Sequence, residues 1–285
     1  MLNTGITTVS VTEEELAHFY NNPLEFKLDM QLFPYANHYL FFELNGVIVD
    51  KQRWDGEKFV QINRNSFPGQ RLNSKMVKPL NEEQEALFDL LQNDNITVKQ
   101  ITGIAGSGKN FCSMAYALMH VDRTAKRNQG KYRKIVLIRN NIEVKDSRPL
   151  GALPSGINEK LLPYAMPFAD ILGSELELMR MIEDEKIELV HLGFVRGRNF
   201  DNSIIIADEA ENLTADHVAL LVSRVGKNSV ILFLGDEKQV DKKVFEDNSG
   251  LTRLNVCLSG QQLYGCVNLV KAERSETSQL AQLLY

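Results

Sequence analysis

Three features of the chain predict an α/β fold built on a mostly parallel sheet. Six short apolar runs are rich in β-branched residues. Helical or polar segments separate them. A glycine-rich loop sits between one such run and a helix. Near-continuous apolar strands alternating with helices mean a sheet covered on both faces. The length of 285 residues allows one full domain plus a smaller appendage, and 44% hydrophobic with 24% charged residues is the mix of a globular protein.

In chain order, residues 1–30 read as an N-terminal extension with a short helix around Glu13–Tyr20, then irregular chain. Residues 31–78 read as a small β-rich subdomain. Asn37–Asp50 carries aromatic and β-branched residues around an Asn45-Gly46 turn, a hairpin signal, and Arg53–Arg64 adds strand-like sequence before the Pro68-Gly69 break. From residue 79 to 285 the pattern becomes α/β. Asn81 is placed to cap a helix, with Gln84 three residues on to close a capping box. The six strand-like runs then follow: Ile96–Ile101, Lys134–Arg139, Ile187–His191, Ser203–Asp208, Ser229–Asp236 and Cys266–Val270.

No run of about 18 apolar residues is present, which excludes a transmembrane helix, and the first residues lack the basic and apolar regions of a secretory signal. Cys112, Cys257 and Cys266 are too few and scattered for a disulfide framework; reduced thiols and a cytoplasmic location are the expectation. A net charge of −5 excludes a globally basic nucleic-acid binder, so any such contact must come from a local patch.

The run Ile96–Ile101 leads into Thr102-Gly-Ile-Ala-Gly-Ser-Gly-Lys-Asn110, and Met114, Ala115 and Leu118 follow at helical spacing. Strand, glycine loop, helix is the context of a phosphate-binding P-loop. Gly103, Gly106 and Gly108 permit backbone conformations closed to other residues. The N–H groups of Ala105, Gly106, Ser107 and Gly108 can then turn inward as an anion nest, and Lys109 brings a cation to the β- and γ-phosphates. The next position ordinarily supplies a Ser or Thr hydroxyl to Mg2+; here it is Asn110. Its amide oxygen is a hard ligand, but one atom farther from the backbone, so hydrolysis should suffer more than nucleotide binding.

Ser203-Ile-Ile-Ile-Ala-Asp-Glu-Ala-Glu211 is an apolar strand ending in carboxylates, a Walker B pattern. Asp208 would hold Mg2+ and Glu209 would act as general base on the attacking water. The strand Val230–Leu234 ends in Gly235-Asp-Glu-Lys-Gln239, where Gln239 suits a γ-phosphate sensor. Ligands gather at the carboxyl ends of strands in open α/β sheets, so the placements agree.

Together these stretches, with the order in which they occur, resemble the PhoH family, whose cores are similar to the first RecA-like domain of superfamily one helicases. The resemblance rests on ITGIAGSGK, IELVHLGFVRGRNFDNSIIIADEAEN, LLVSRVGKNSVILFLGDEKQVD and Asn248-Ser-Gly-Leu251, and covers roughly residues 80–280. Arg148–Gly156, with Lys160 and Pro163, looks like the family's loop between the P-loop helix and the acidic strand. The resemblance implies a RecA-like P-loop ATPase using ATP or ADP and Mg2+. It implies that Gln84 reads adenine, with a helix-surface glutamine as the alternative, and that Arg274 acts as an arginine finger, with an ion pair to Glu273 or Glu276 as the alternative. It implies a homo-oligomer, such as a hexameric ring. Longer members carry a PIN ribonuclease domain; about thirty residues before the β region are too few for one.

Arg123–Lys134 packs six basic residues with Tyr132 and reads mainly as a solvated helix end, whereas Arg196 and Arg198 match the family's Arg-Gly-Arg motif and are expected to touch single-stranded RNA. The expected function is an ATPase coupled to RNA or other nucleic acid. The alternative is a hydrolysis-impaired ATP-binding oligomeric scaffold or adaptor, motivated by Asn110. A small-molecule kinase is weaker, since no arginine-rich lid is evident.

Overall fold

The computed structural model describes residues 2–32, 34–69, 72, 76–121, 131–140, 157–237, 239–240, 243, 245 and 248–273, the side chains at 157–160 and 164 excepted. Strand β1 (Ile6–Ser10) comes first, then helices α1 (Glu13–Asn21) and α2 (Pro23–Asp29), and strands β2 (His38–Leu44), β3 (Val47–Trp54), β4 (Phe59–Gln61), β5 (Phe67–Pro68) and β6 (Met76–Val77). The larger unit continues with α3 (Glu82–Gln92), β7 (Val98–Gly103), α4 (Lys109–Val121), β8 (Lys134–Arg139), α5 (Ile157–Leu172), α6 (Glu175–Glu183), β9 (Ile187–His191), β10 (Ser203–Asp208), α7 (Ala215–Val222), β11 (Val230–Gly235), α8 (Gly250–Leu258) and β12 (Tyr264–Leu269).

Six strands form the main sheet in the order β12-β7-β11-β10-β8-β9, every neighbouring pair parallel. Alternate residues of each strand feed opposite cores. Ile204 and Ile206 of β10 join Ile135, Leu137, Leu232 and Leu234 under α3, α4, α5 and α6. Ile205 and Ala207 join Val136, Ile138, Ile231 and Phe233 under α7 and α8. Full burial of each such aliphatic side chain stabilises the fold by about 1.5–3 kcal/mol, so the sheet is held from both faces, as the unbroken apolar runs predict. Because all six strands run the same way, their carboxyl ends lie on one edge. On that edge β7, β11 and β10 are adjacent, which places the glycine loop, Gly235 and Asp208 side by side.

The N-terminal region is more ordered than its sequence suggests. Ile6–Ser10, to which the sequence assigns no element within the N-terminal extension, pairs parallel with β2 at the edge of a four-stranded sheet β1-β2-β3-β4. Its outward residues are exposed, so the strand lacks an apolar face to announce it. Pro23–Asp29, expected to be irregular, is a helix that Pro23 starts from its first turn. Phe19, Phe26, Leu40 and Phe42 make this sheet's own core. The sheet also docks on the larger unit. Tyr39 Oη donates to Asp89 Oδ2 at 2.9 Å, and Arg53 Nε reaches the same atom at 2.8 Å, both on α3. Thr4 O accepts from Asn268 N at 3.0 Å, beside the edge strand β12.

Asn81 caps α3 as expected, accepting from Gln84 N at 2.9 Å. The capping box is not closed in the expected way, because Gln84 Oε1 accepts from Leu80 N rather than from Asn81 N. Lys160 and Pro163, read as part of a loop, fall within α5, which carries Pro163 and Pro167 inside it. Arg148–Gly156 lies outside the described residues.

Candidate functional site

The loop between β7 and α4 folds back on itself where the sequence demands glycine. Gly106 and Gly108 adopt φ of +83° and +89°, open to glycine at no steric cost. At Gly108 a β-carbon would also lie 2.9 Å from Gln84 Nε2. Lys109, the first residue of α4, bends its side chain back across the loop. Its Nζ donates to Gly103 O at 2.8 Å and to Ile104 O at 3.3 Å. Burial pushes the Lys109 ammonium below its ordinary pKa, while Asp236, Glu211, Asp208 and Glu209 pull it back up.

Asp208, buried at the end of β10, faces the start of α4. Asn110 Nδ2 donates to Asp208 Oδ1 at 2.9 Å. Burial raises the Asp208 carboxyl above the usual range, with Arg139 and the Asn110 hydrogen bond acting in the opposite sense. Asn110 Oδ1 is itself buried without a hydrogen-bond partner. An orphan amide oxygen beside a buried carboxylate is a hard donor pair suited to Mg2+, so these residues fit that ion.

Glu209 stands in the left-handed region at φ +52°, a conformation that costs a residue with a side chain about 1–3 kcal/mol and gathers at functional positions. Its carboxylate takes a short hydrogen bond from Arg139 Nη2, from the neighbouring end of β8. Glu211, passed over in the sequence as a site residue, is buried at the same edge, and its Oε2 accepts from Asp236 N at 3.1 Å. Burial raises its pKa, and the Glu209 and Asp208 charges add to that rise. A β-carbon on Gly235 would sit 2.6 Å from Glu211 Oε2. Glu211 and Asp236 were legible only as carboxylates near strand ends; what marks them is burial, which pattern alone does not disclose.

These groups line one cleft of about 960 Å3, which contains Gln84, Ala105, Gly106, Gly108, Lys109, Asn110, Asp208, Glu209 and Gln239, with Glu211 and Asp236. Gly103 and Ser107 belong to the same loop but are not among the residues that line the cleft. Gln239 is exposed at the rim, its N–H donating to Asp236 O at 2.9 Å. Gln84 is buried at 2% exposure, so the alternative of a surface helix glutamine does not hold. Arg274 lies outside the described residues.

Arg196 and Arg198 are not part of this cleft. Arg198 Nη2 reaches Glu188 Oε1 at 2.6 Å, and its guanidinium stacks 4.7 Å from the centre of the Phe200 ring. Glu188 also takes Lys134 Nζ at 2.5 Å. Lys134 begins β8 and Glu188 is second in β9, so this cluster occupies the amino edge of the sheet, opposite the glycine loop. Arg196 is exposed. Of the basic run Arg123–Lys134, residues 123–130 lie outside the described residues, and Tyr132 is buried against His120, unavailable for stacking on a base.

A family model described as "PhoH: PhoH-like protein" matches residues 76–285. Protein PhoH2 of Bacillus subtilis (strain 168) is 32% identical over 213 residues, 72% of this chain and 47% of that protein. Protein PhoH of Escherichia coli (strain K12) is 32% identical over 184 residues, 61% of this chain and 48% of that one. The chain thus spans about half the length of the curated relatives it matches. Among solved structures, unliganded Pif1 from Bacteroides sp aligns over 72% of this chain and 44% of that chain, at 15% identity and a TM-score of 0.30, too loose a superposition to argue from. Among the described residues no helix is long and apolar enough to cross a membrane.

Proposed function

The chain belongs to the PhoH family, and from that premise we propose that it binds ATP in the cleft at the carboxyl edge of the sheet and hydrolyses it slowly, in work coupled to RNA or another nucleic acid. The observation that carries this reading is the convergence of the glycine loop, Lys109 and Asp208 on one 960 Å3 cleft. The loop N–H groups and the positive end of α4 favour a polyphosphate. Lys109 leaves its carbonyl partners to meet the β- and γ-phosphates, exchanging two neutral acceptors for charged ones. Asp208 and Asn110 Oδ1 would hold Mg2+, which supplies charge neutralisation between the phosphates. Glu209, oriented by Arg139, takes the proton of the attacking water. Gln239, at the rim, is placed to sense the γ-phosphate.

Asn110 favours a second reading, that of a nucleotide-binding scaffold with little turnover. Its amide N–H takes up one lone pair of Asp208 Oδ1, which weakens that oxygen as a metal ligand. One comparison separates the two: phosphate release by wild type, Lys109→Ala and Asn110→Thr, with and without single-stranded RNA, beside a native mass measurement for the homo-oligomer. Mg2+-dependent release by wild type, lost in Lys109→Ala, supports the ATPase. Tight ATP binding with turnover only in Asn110→Thr supports the scaffold. No binding of ATP or ADP by wild type sinks both.

A further inference from the structure

Helix α4 buries the apolar side chains of its middle turns, from Cys112 to Leu118. Phe111, in its first turn, is different: it is 37% exposed and lines the cleft. A single exposed apolar residue needs no explanation. Phe111 is not single, because Met76 and Leu80 are also exposed and line the same cleft. Leu72 and Val77, both buried, and half-buried Ile171 add to that apolar lining. Phosphates and a metal ion have no use for such a surface. The flat face of a base does, and small-molecule sites commonly pair an apolar wall with a few polar groups.

The place of the ring follows from how the helix starts. Cys112 N donates to Gly108 O at 2.9 Å, so the first turn of α4 is built on the last glycine of the loop. Residues three and four apart are neighbours on a helix surface, which sets Phe111 and Cys112 beside Gly108. Gly108 in turn lies against Gln84, whose Nε2 would be 2.9 Å from a β-carbon there. Asn110 faces Asp208. Phe111, one position on, is turned about 100° away from that side. Each end of the Gln84 amide makes one bond: Oε1 accepts from Leu80 N at 2.9 Å, and Nε2 donates to Ser107 O at 3.0 Å. A second lone pair and a second N–H remain for the edge of a base.

We infer that Phe111 is the platform on which the base of a bound nucleoside triphosphate stacks. The nucleotide then runs from the glycine loop across the first turn of α4, and its base covers the exposed ring. This rests on the nucleotide-binding reading above and adds to it a residue that touches the base. Every base has a π-face, so the ring serves any nucleoside. Selection among bases is left to groups that meet the base edge.

The test titrates two ligands, ATP and inorganic tripolyphosphate, into the full chain by calorimetry. Wild type is expected to bind ATP at least about tenfold more tightly than tripolyphosphate. Phe111→Ala should weaken ATP by about tenfold or more, the loss of one base stack, and leave tripolyphosphate within about twofold. Phe111→Tyr should restore ATP affinity to within about threefold of wild type. Phe111→Trp reports the contact directly. The one native tryptophan, Trp54, is buried, so the added emission belongs to position 111. ATP should quench it and tripolyphosphate should not. An equal loss of both ligands in Phe111→Ala would make the ring a structural part of the loop and overturn the inference. So would unchanged ATP affinity in that variant, wild-type affinity for ATP no greater than for tripolyphosphate, or indole emission that ATP leaves unquenched. Should Phe111→Ala not fold, the Phe111→Trp emission decides alone. Each of these failures still has the phosphates bound and leaves the proposed function standing; no binding of either ligand by wild type sinks both.

Discussion

Two lysines ten positions apart, one buried and one half-buried, show how one chemical arrangement serves two purposes. Lys99, in β7, donates to Leu91 O at 2.6 Å and Asn93 O at 3.0 Å, and is 1% exposed. Lys109, just past the other end of that strand, also donates to two backbone carbonyls. Lys99 is sealed: its partners are the last carbonyls of α3, and burial lowers its pKa to about 7. Lys109 opens on the cleft, and four carboxylates face it. A carbonyl-bound lysine is a cap where no competing ligand can enter, and a poised binding group where one can.

The comparison breaks most readily at Lys109. Lys109→Ala should lower ATP affinity by about a hundredfold or more, the loss of charge-assisted bonds to phosphate, while thermal denaturation stays near wild type; an equal loss of stability would make Lys109 a second structural cap. Lys99→Met should do the reverse. It leaves α3 carbonyls without a donor and costs about 2 kcal/mol in urea denaturation, with ATP affinity unchanged in the folded fraction. Its pH dependence sharpens the contrast. With the folded pKa near 7 against an ordinary 10.5, the unfolded chain holds more protons between those values, so wild-type stability rises with pH there. The gap between wild type and Lys99→Met should therefore widen from pH 7 upward, and a flat gap would show that the amine is not held deprotonated.

Smaller effects are expected at the amino edge. Arg198→Ala loses the Glu188 pair and the Phe200 stack and should cost about 1 kcal/mol. Arg196→Ala, at an exposed position, should change stability by less than about 0.5 kcal/mol. Filter binding of single-stranded RNA then discriminates the roles: RNA affinity that falls only in the Arg196 variant assigns RNA contact to Arg196 and structure to Arg198.

Much of this molecule was legible where one interaction dominates. The strands Lys134–Arg139, Ile187–His191 and Ser203–Asp208 occupy the positions their apolar runs indicate, because burial on both faces leaves no other use for such sequence. The glycine loop was legible because backbone sterics single out its residues. What escaped depends on distant partners. The strand Ile6–Ser10 exists because β2 lies beside it. The amide of Gln84 goes to Ser107 O, 23 positions away, and not to its own helix. Arg198 belongs to the Arg-Gly-Arg stretch expected to touch RNA, yet its guanidinium is engaged by Glu188 at the far edge. Pattern identifies a residue's type and element; it does not say which end of the sheet a connecting loop will reach.

The junction of Thr4 with Asn268 has a consequence for how the molecule comes apart. Asn3 and Asn255 exchange two hydrogen bonds, of 2.8 and 2.6 Å, across 252 positions. Gly5 packs so tightly that a β-carbon there would strike Cys266 O. The described chain is thus stitched nearly end to end, like a belt buckled on itself. The clasp ties the N-terminal strand to the β12 edge of the main sheet, and Gly5→Ala is expected to loosen it, since the added β-carbon has no room beside Cys266 O.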